Sequence, residues 1–122
     1  MTALALDIGA TKFAAALVDS DYTLREVRQV RAGVADPWTA CRDLLGIVAR
    51  DIGITAVGIG AAGPVDVPGG VISPLNLAPW RDGFAIVERV RALFPDAVVR
   101  LAIDGACLAL AEHRVGGLRG VD

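Results

Sequence analysis

Asp7-Ile8-Gly9-Ala10-Thr11-Lys12 gathers a carboxylate, a hydroxyl and an ammonium between two apolar runs, Ala3–Leu6 and Phe13–Val18. Two apolar runs of strand length around a short Gly-containing turn predict a β-hairpin. The turn suits the phosphates of a nucleotide held with Mg²⁺. Gly9 and Ala10 are small enough for backbone N–H groups to approach phosphate oxygens. Thr11 adds a hydroxyl donor and Lys12 a point charge. Asp7 suits Mg²⁺, held through water because this ion gives up its hydration shell reluctantly. The turn by itself is equally readable as an ordinary hairpin with polar tip residues.

A second carboxylate, Asp104, follows the apolar run Ala97–Ile103 and precedes an Ala- and Leu-rich stretch, so it sits where a buried strand meets a helix. In open α/β sheets ligands gather outside the carboxyl ends of strands. Asp7 lies near the end of its own strand, so both carboxylates are expected to line one cleft. A carboxylate placed there can accept a proton from a hydroxyl that attacks phosphorus. The competing reading of Asp104 is a helix N-cap.

Gly58-Ile59-Gly60-Ala61-Ala62-Gly63 matches the dinucleotide-binding fingerprint and follows a predicted strand. That fingerprint needs a helix to begin within the glycines, so that its N-terminus meets the pyrophosphate. Pro64-Val65-Asp66-Val67-Pro68-Gly69-Gly70 follows instead, and no helix starts there. The glycines are read as letting backbone crowd against a small ligand, without a nicotinamide or flavin.

Composition narrows the class. The 122 residues fit one domain, and 54% hydrophobic content excludes a disordered chain. A net charge of −2 without a basic stripe argues against nucleic acid. No apolar run reaches the roughly 18 residues of a membrane span. The start lacks the basic region of a signal peptide, so a cytoplasmic protein is expected. Cys41 and Cys107 are far apart and are read as reduced. With a single His in the chain they do not make a structural zinc tetrad.

The elements that must hold these residues follow from periodicity. Strands are predicted at about 3–8 and 12–19, and an edge strand over 23–31, where Leu24, Val27 and Val30 alternate with Arg25, Arg28 and Arg31. Asp36 caps a helix with Pro37 in its first turn, and Gly53 ends it. Ile54–Ile59 is a buried strand. The Gly- and Pro-rich segment 60–77 is long for a plain connection, and Gly70-Val71-Ile72 is a short strand within it. Trp80 lies beside this segment and either packs under it or faces a ligand. A helix over 84–94, a strand over 97–103 and a helix over 104–114 complete the order β-β-β-α-β-α-β-α. This is an α/β domain with a mixed sheet of about five strands and helices on its faces.

That order resembles the actin-like, or ribonuclease H-like, ATPase domain. The motifs together resemble the ROK family, which contains bacterial glucokinases, related sugar kinases and sugar-responsive repressors. Residues 7–12 look like its first phosphate motif. Residues 58–66 and 70–80 look like its sugar-side loop, and 103–112 look like its Asn-Asp-Ala-Asn segment. The resemblance implies transfer of the ATP γ-phosphoryl group to a hexose hydroxyl, with Asp104 as catalytic base. Gly9, Thr11 and Lys12 would meet phosphates, with Asp7 near Mg²⁺, and Gly63, Asn76 and Asp104 would lie near the sugar.

Two departures from the family pattern stand out: Ile103 replaces an Asn that hydrogen-bonds the sugar, and Ala106 replaces a second Asn. They keep open a non-catalytic sugar sensor, or another actin-like ATPase. The family's second lobe, with its sugar, zinc and adenosine motifs, is not found in these residues. The chain is therefore read as an N-terminal lobe, 1–122, whose partner is the C-terminal lobe of the same protein. An uncovered lobe interface also leaves a homo-oligomer open.

Overall fold

A computed structural model of the chain describes residues 2–9, 11–21, 23–32, 36–61, 64–74 and 77–103. Their elements are β1 (Thr2–Ile8), β2 (Lys12–Val18), β3 (Leu24–Arg31), α1 (Pro37–Val48), β4 (Ile54–Ala61), β5 (Val65–Asp66), β6 (Val71–Ile72), a 3₁₀ turn (Ala78–Trp80), α2 (Ile86–Leu93) and β7 (Val98–Ile103). Five strands form one mixed sheet in the order β3-β2-β1-β4-β7. β1, β2 and β3 pair antiparallel, whereas β4 runs parallel to both β1 and β7.

Strand alternation assigns the two faces of the sheet. Leu4, Leu6 and Ile8 of β1, Phe13, Ala15 and Leu17 of β2, Val57, Ile59 and Ala61 of β4, and Val99 and Leu101 of β7 point to one face. Cys41, Leu44, Leu45 and Val48 of α1 and Ile86, Val87 and Val90 of α2 close over it in a single cluster. Both described helices therefore lie on the same face. The opposite face is built from small residues, with Ala5 between Ala16 and Gly58 and Asp7 between Ala14 and Gly60 in the register.

Helix α1 starts as expected. Asp36 has an extended backbone, Pro37 fills the first helical position, and Asp36 Oδ1 accepts from the Trp38 N–H at 3.2 Å. The hydroxyl of Thr39 also donates to Asp36, which holds that carboxyl below the usual carboxylate range. The helix ends at Val48, earlier than Gly53. Asp51 takes the left-handed conformation (φ 56°) and the Ile52 N–H donates to the Ala49 carbonyl, so the stop comes from a turn and not from the glycine. β3 is an edge strand, as its charges imply, but Glu26 (φ 55°) sits where the pairing with β2 slips register. This bulge breaks the simple alternation and makes the edge a poorer template for another strand.

The segment after β4 is more ordered than its composition implies. β5 and β6 form a small antiparallel hairpin. Ile72 then exchanges backbone hydrogen bonds with Phe84 at 3.0 and 2.8 Å. That bridge takes Phe84 out of α2, which begins at Ile86 and not at residue 84. The Gly70 carbonyl accepts from the Val87 N–H at 3.2 Å, tying the hairpin to the helix. The helix expected over 104–114 lies outside the described residues. No helix among the described residues is long and apolar enough to cross a membrane.

Candidate functional site

The hairpin turn is built by a close backbone contact. The Gly9 N–H donates to the Lys12 carbonyl at 3.0 Å and closes the tip of the turn. A Cβ on Gly9 would stand 2.9 Å from that same carbonyl oxygen, closer than side chains approach backbone, so the turn requires glycine here. The Thr11 carbonyl accepts from the Ala32 N–H at 2.9 Å, which anchors the tip to the chain leaving β3. Thr11 and Lys12 are both exposed. A hydroxyl and an ammonium thus project from a turn whose backbone is fixed at both ends.

The turn stands at the carboxyl end of the parallel strands. In the register Ile8 lies beside Ala61, and Ala61 beside Ile103. The backbones of β1, β4 and β7 therefore finish in one row, two strand spacings or about 10 Å wide. Asp7 lies one residue back from that row, level with Gly60 and, through Gly60, with Ala102. Asp7 is half-buried and its Oδ1 is closed to solvent. Its side chain faces away from the helices, since Ile8 and Phe13 occupy the core face.

Of the residues singled out in the sequence, the structure brings Asp7, Gly9, Thr11 and Lys12 together on this hairpin. Gly63, Asn76 and Asp104 lie outside the described residues. The fingerprint glycines Gly58 and Gly60 lie inside β4, and the chain continues into the β5–β6 hairpin, so no helix follows them to receive a pyrophosphate. Among the described residues no three His, Cys, Asp or Glu side chains gather as a cation cage. One half-buried carboxylate is too sparse for a bare cation. It matches a Mg²⁺ that keeps most of its waters and takes further ligands from bound phosphates. Cys41 is a buried free thiol, its ionisation pushed up to about 12 by burial, and takes no part in this site.

One group near the site carried only an ambiguous signal in the sequence. Trp80 packs under the loop, with its indole stacked between Phe13 (centroids 5.6 Å, planes 7° apart) and Phe84 (4.2 Å, 11°). Trp38 meets Phe84 at 5.8 Å, and the Arg89 guanidinium lies over both Trp38 and Phe84. Both tryptophans and two of the three phenylalanines of the chain are spent on this stack. That concentration of scarce aromatics was the available clue.

Comparison with known proteins agrees with the fold. The sequence matches the ROK family over residues 3–122, and the chain belongs to that family. It is 33% identical over 118 residues to an N-acetylmannosamine kinase of Escherichia coli (strain SMS-3-5 / SECEC), an alignment covering 97% of this chain and 28% of the relative. The chain thus spans less than a third of that curated relative. Among solved structures it is similar to a ROK family glucokinase from Streptomyces griseus in complex with glucose and AMPPNP. The TM-score there is 0.76 at 27% identity, covering 98% of this chain and 38% of that one. It is also similar to ROK hexokinase from Thermus thermophilus, with TM-score 0.74, 30% identity, and 98% and 41% of the two chains covered. A ROK family transcriptional regulator, a homolog of the E. coli MLC protein, shares the fold at TM-score 0.67 and 16% identity, covering 91% and 30%. The fold is thus the actin-like ATPase fold of ROK sugar kinases.

Proposed function

We propose that residues 1–122 form the N-terminal lobe of an ATP-dependent sugar kinase that transfers the γ-phosphoryl group to a hexose hydroxyl. The observation that carries this reading is the pinned Gly9–Lys12 turn, with its exposed Thr11 and Lys12, at the end of the sheet where the parallel strands finish. Membership of a family whose similar members include an N-acetylmannosamine kinase and glucokinases supports a hexose as acceptor.

In this reading the backbone of the turn, the Thr11 hydroxyl and the Lys12 ammonium bind the nucleotide phosphates and spread their charge. Asp7 would hold Mg²⁺. When bound, that ion neutralises charge on the transferred phosphoryl group. Gly63 and Asn76 bound the sugar side. Asp104 accepts the proton of the attacking hydroxyl as the new O–P bond forms, and the bond from the γ-phosphorus to the bridging oxygen breaks to release ADP. The C-terminal lobe of the same protein closes the cleft, which excludes water from the reacting groups.

ADP release from ATP, followed across a panel of hexoses with the complete protein containing this chain, tests the reading. Phosphorylation of at least one hexose or N-acetylhexosamine is expected. Sugar binding by calorimetry without any ATP consumption would instead establish the second reading, a sugar sensor. Ile103 and Ala106 favour that reading, because apolar groups stand where the family pattern places Asn. A sugar hydroxyl left unmet there costs about 1–3 kcal/mol. That is roughly tenfold to a hundredfold in affinity.

A further inference from the structure

We infer that Trp80 is a positioning residue, one that sets the sugar-side loop against the phosphate-side hairpin; this rests on the kinase reading above. Phe13 directly follows Lys12 in the chain, is fully buried, and forms one wall of the indole slot. The other wall, Phe84, is held by the paired backbone hydrogen bonds with Ile72. Trp80 itself closes the 3₁₀ turn that begins just after buried Leu77, one residue beyond Asn76, and only 3% of its surface is exposed. A single rigid ring therefore touches the strand that leaves the phosphate turn and the segment that carries Asn76.

Among the described residues, the backbone bonds of the loop do not supply this link. Ser73 bonds to Pro64, Leu77 to Pro74, Trp80 to Leu77 and Gly83 to Trp80, all within the loop. Phe84 and Gly70 bond to Ile72 and Val87. None of these bonds reaches β1 or β2. Ile72 and Leu77 share the hairpin's apolar core, and stacking of nearly parallel rings, which favours one separation and one tilt, adds a directional contact that registers the loop on the hairpin. Loss of that register bears on the reaction as well as on the fold. A displacement of about 1 Å between reacting groups costs on the order of a hundredfold in rate.

The test compares W80A and W80F with the unaltered complete protein, measuring sugar phosphate formed and ADP released in the same reaction. A ring that merely fills the core changes both rates by the fraction folded and leaves their ratio alone. A positioning ring changes the ratio, because a misplaced acceptor yields the phosphoryl group to water. We expect W80A to lower kcat for transfer about a hundredfold and to raise ADP per sugar phosphate severalfold. W80F, which keeps a stacking ring, should restore the ratio. Should W80A fail to fold, F84L, which removes one wall of the slot, takes its place with the same expectation. A folded W80A or F84L with an unchanged ratio and unchanged kcat overturns the inference alone. An unaltered protein that phosphorylates no hexose overturns the kinase reading, and this inference with it.

Discussion

At Gly9 a single missing methyl decides whether the hairpin turn can close. G9A places a Cβ 2.9 Å from the Lys12 carbonyl, and backbone cannot move aside as a flexible side chain can. The variant is expected to lose about 1–3 kcal/mol of stability, read by urea unfolding, and to bind a non-hydrolysable ATP analogue more weakly. Lys12 presents the complementary case. Its side chain is exposed, so K12A should leave the unfolding midpoint within error. Loss of one charge-assisted contact, about 1.5–3 kcal/mol, should weaken the ATP analogue tenfold to a hundredfold by calorimetry. Equal binding by K12A would remove Lys12 from the site. Cys41 supplies a pH signature. Burial raises its folded ionisation from 9.0 to about 12, so the thiol binds its proton more tightly folded than unfolded. The associated stability is complete below 9.0 and drains away as pH rises toward about 12. C41V should flatten the alkaline fall in the urea midpoint, and native Cys41 should resist iodoacetamide until the chain unfolds.

Among the elements, those governed by periodicity were legible and those governed by long-range pairing were not. β1, β2, β3 and α1 follow from alternation, from a charged edge and from an Asp-Pro start, all of which are local. The early end of α1 turned on Asp51 adopting a left-handed backbone, a choice that no local preference favours over Gly53 two residues later. β5 escaped notice because its two residues are defined only by pairing with β6 across a Pro-Gly-Gly tip. The shortened start of α2 has the same origin, since Phe84 is claimed by Ile72 from the other side of the loop. Within the site, the residue types of the turn were readable. The pinning of its tip by Ala32 and the stacking of Trp80 were not, because both depend on segments distant in sequence. Gly70 carries a prediction at this scale. Its φ is +70° and a Cβ there would meet Val87 Cβ at 2.8 Å, so the loop hairpin can dock on α2 only with glycine. G70A should cost about 1–3 kcal/mol and loosen the loop, seen as faster hydrogen exchange at the amides of Ile72 and Val87.

For the whole molecule, the sheet divides its two faces by side-chain size. One face is a continuous core under α1 and α2. The other is lined by alanines and glycines around Asp7, so backbone or ligand can approach closely there. The parallel strands finish on a common row beside the Gly9–Lys12 turn, the place where open α/β sheets gather ligands. The kinase reading proposed above requires Asp104 to remove the proton of the acceptor hydroxyl. The direct measurement is phosphoryl transfer by D104N, compared with the unaltered complete protein, beside sugar affinity measured on the same samples. The account predicts a kcat lower by about 10²–10⁴-fold with sugar affinity held within severalfold. A D104N protein that turns over at nearly the original rate would contradict it.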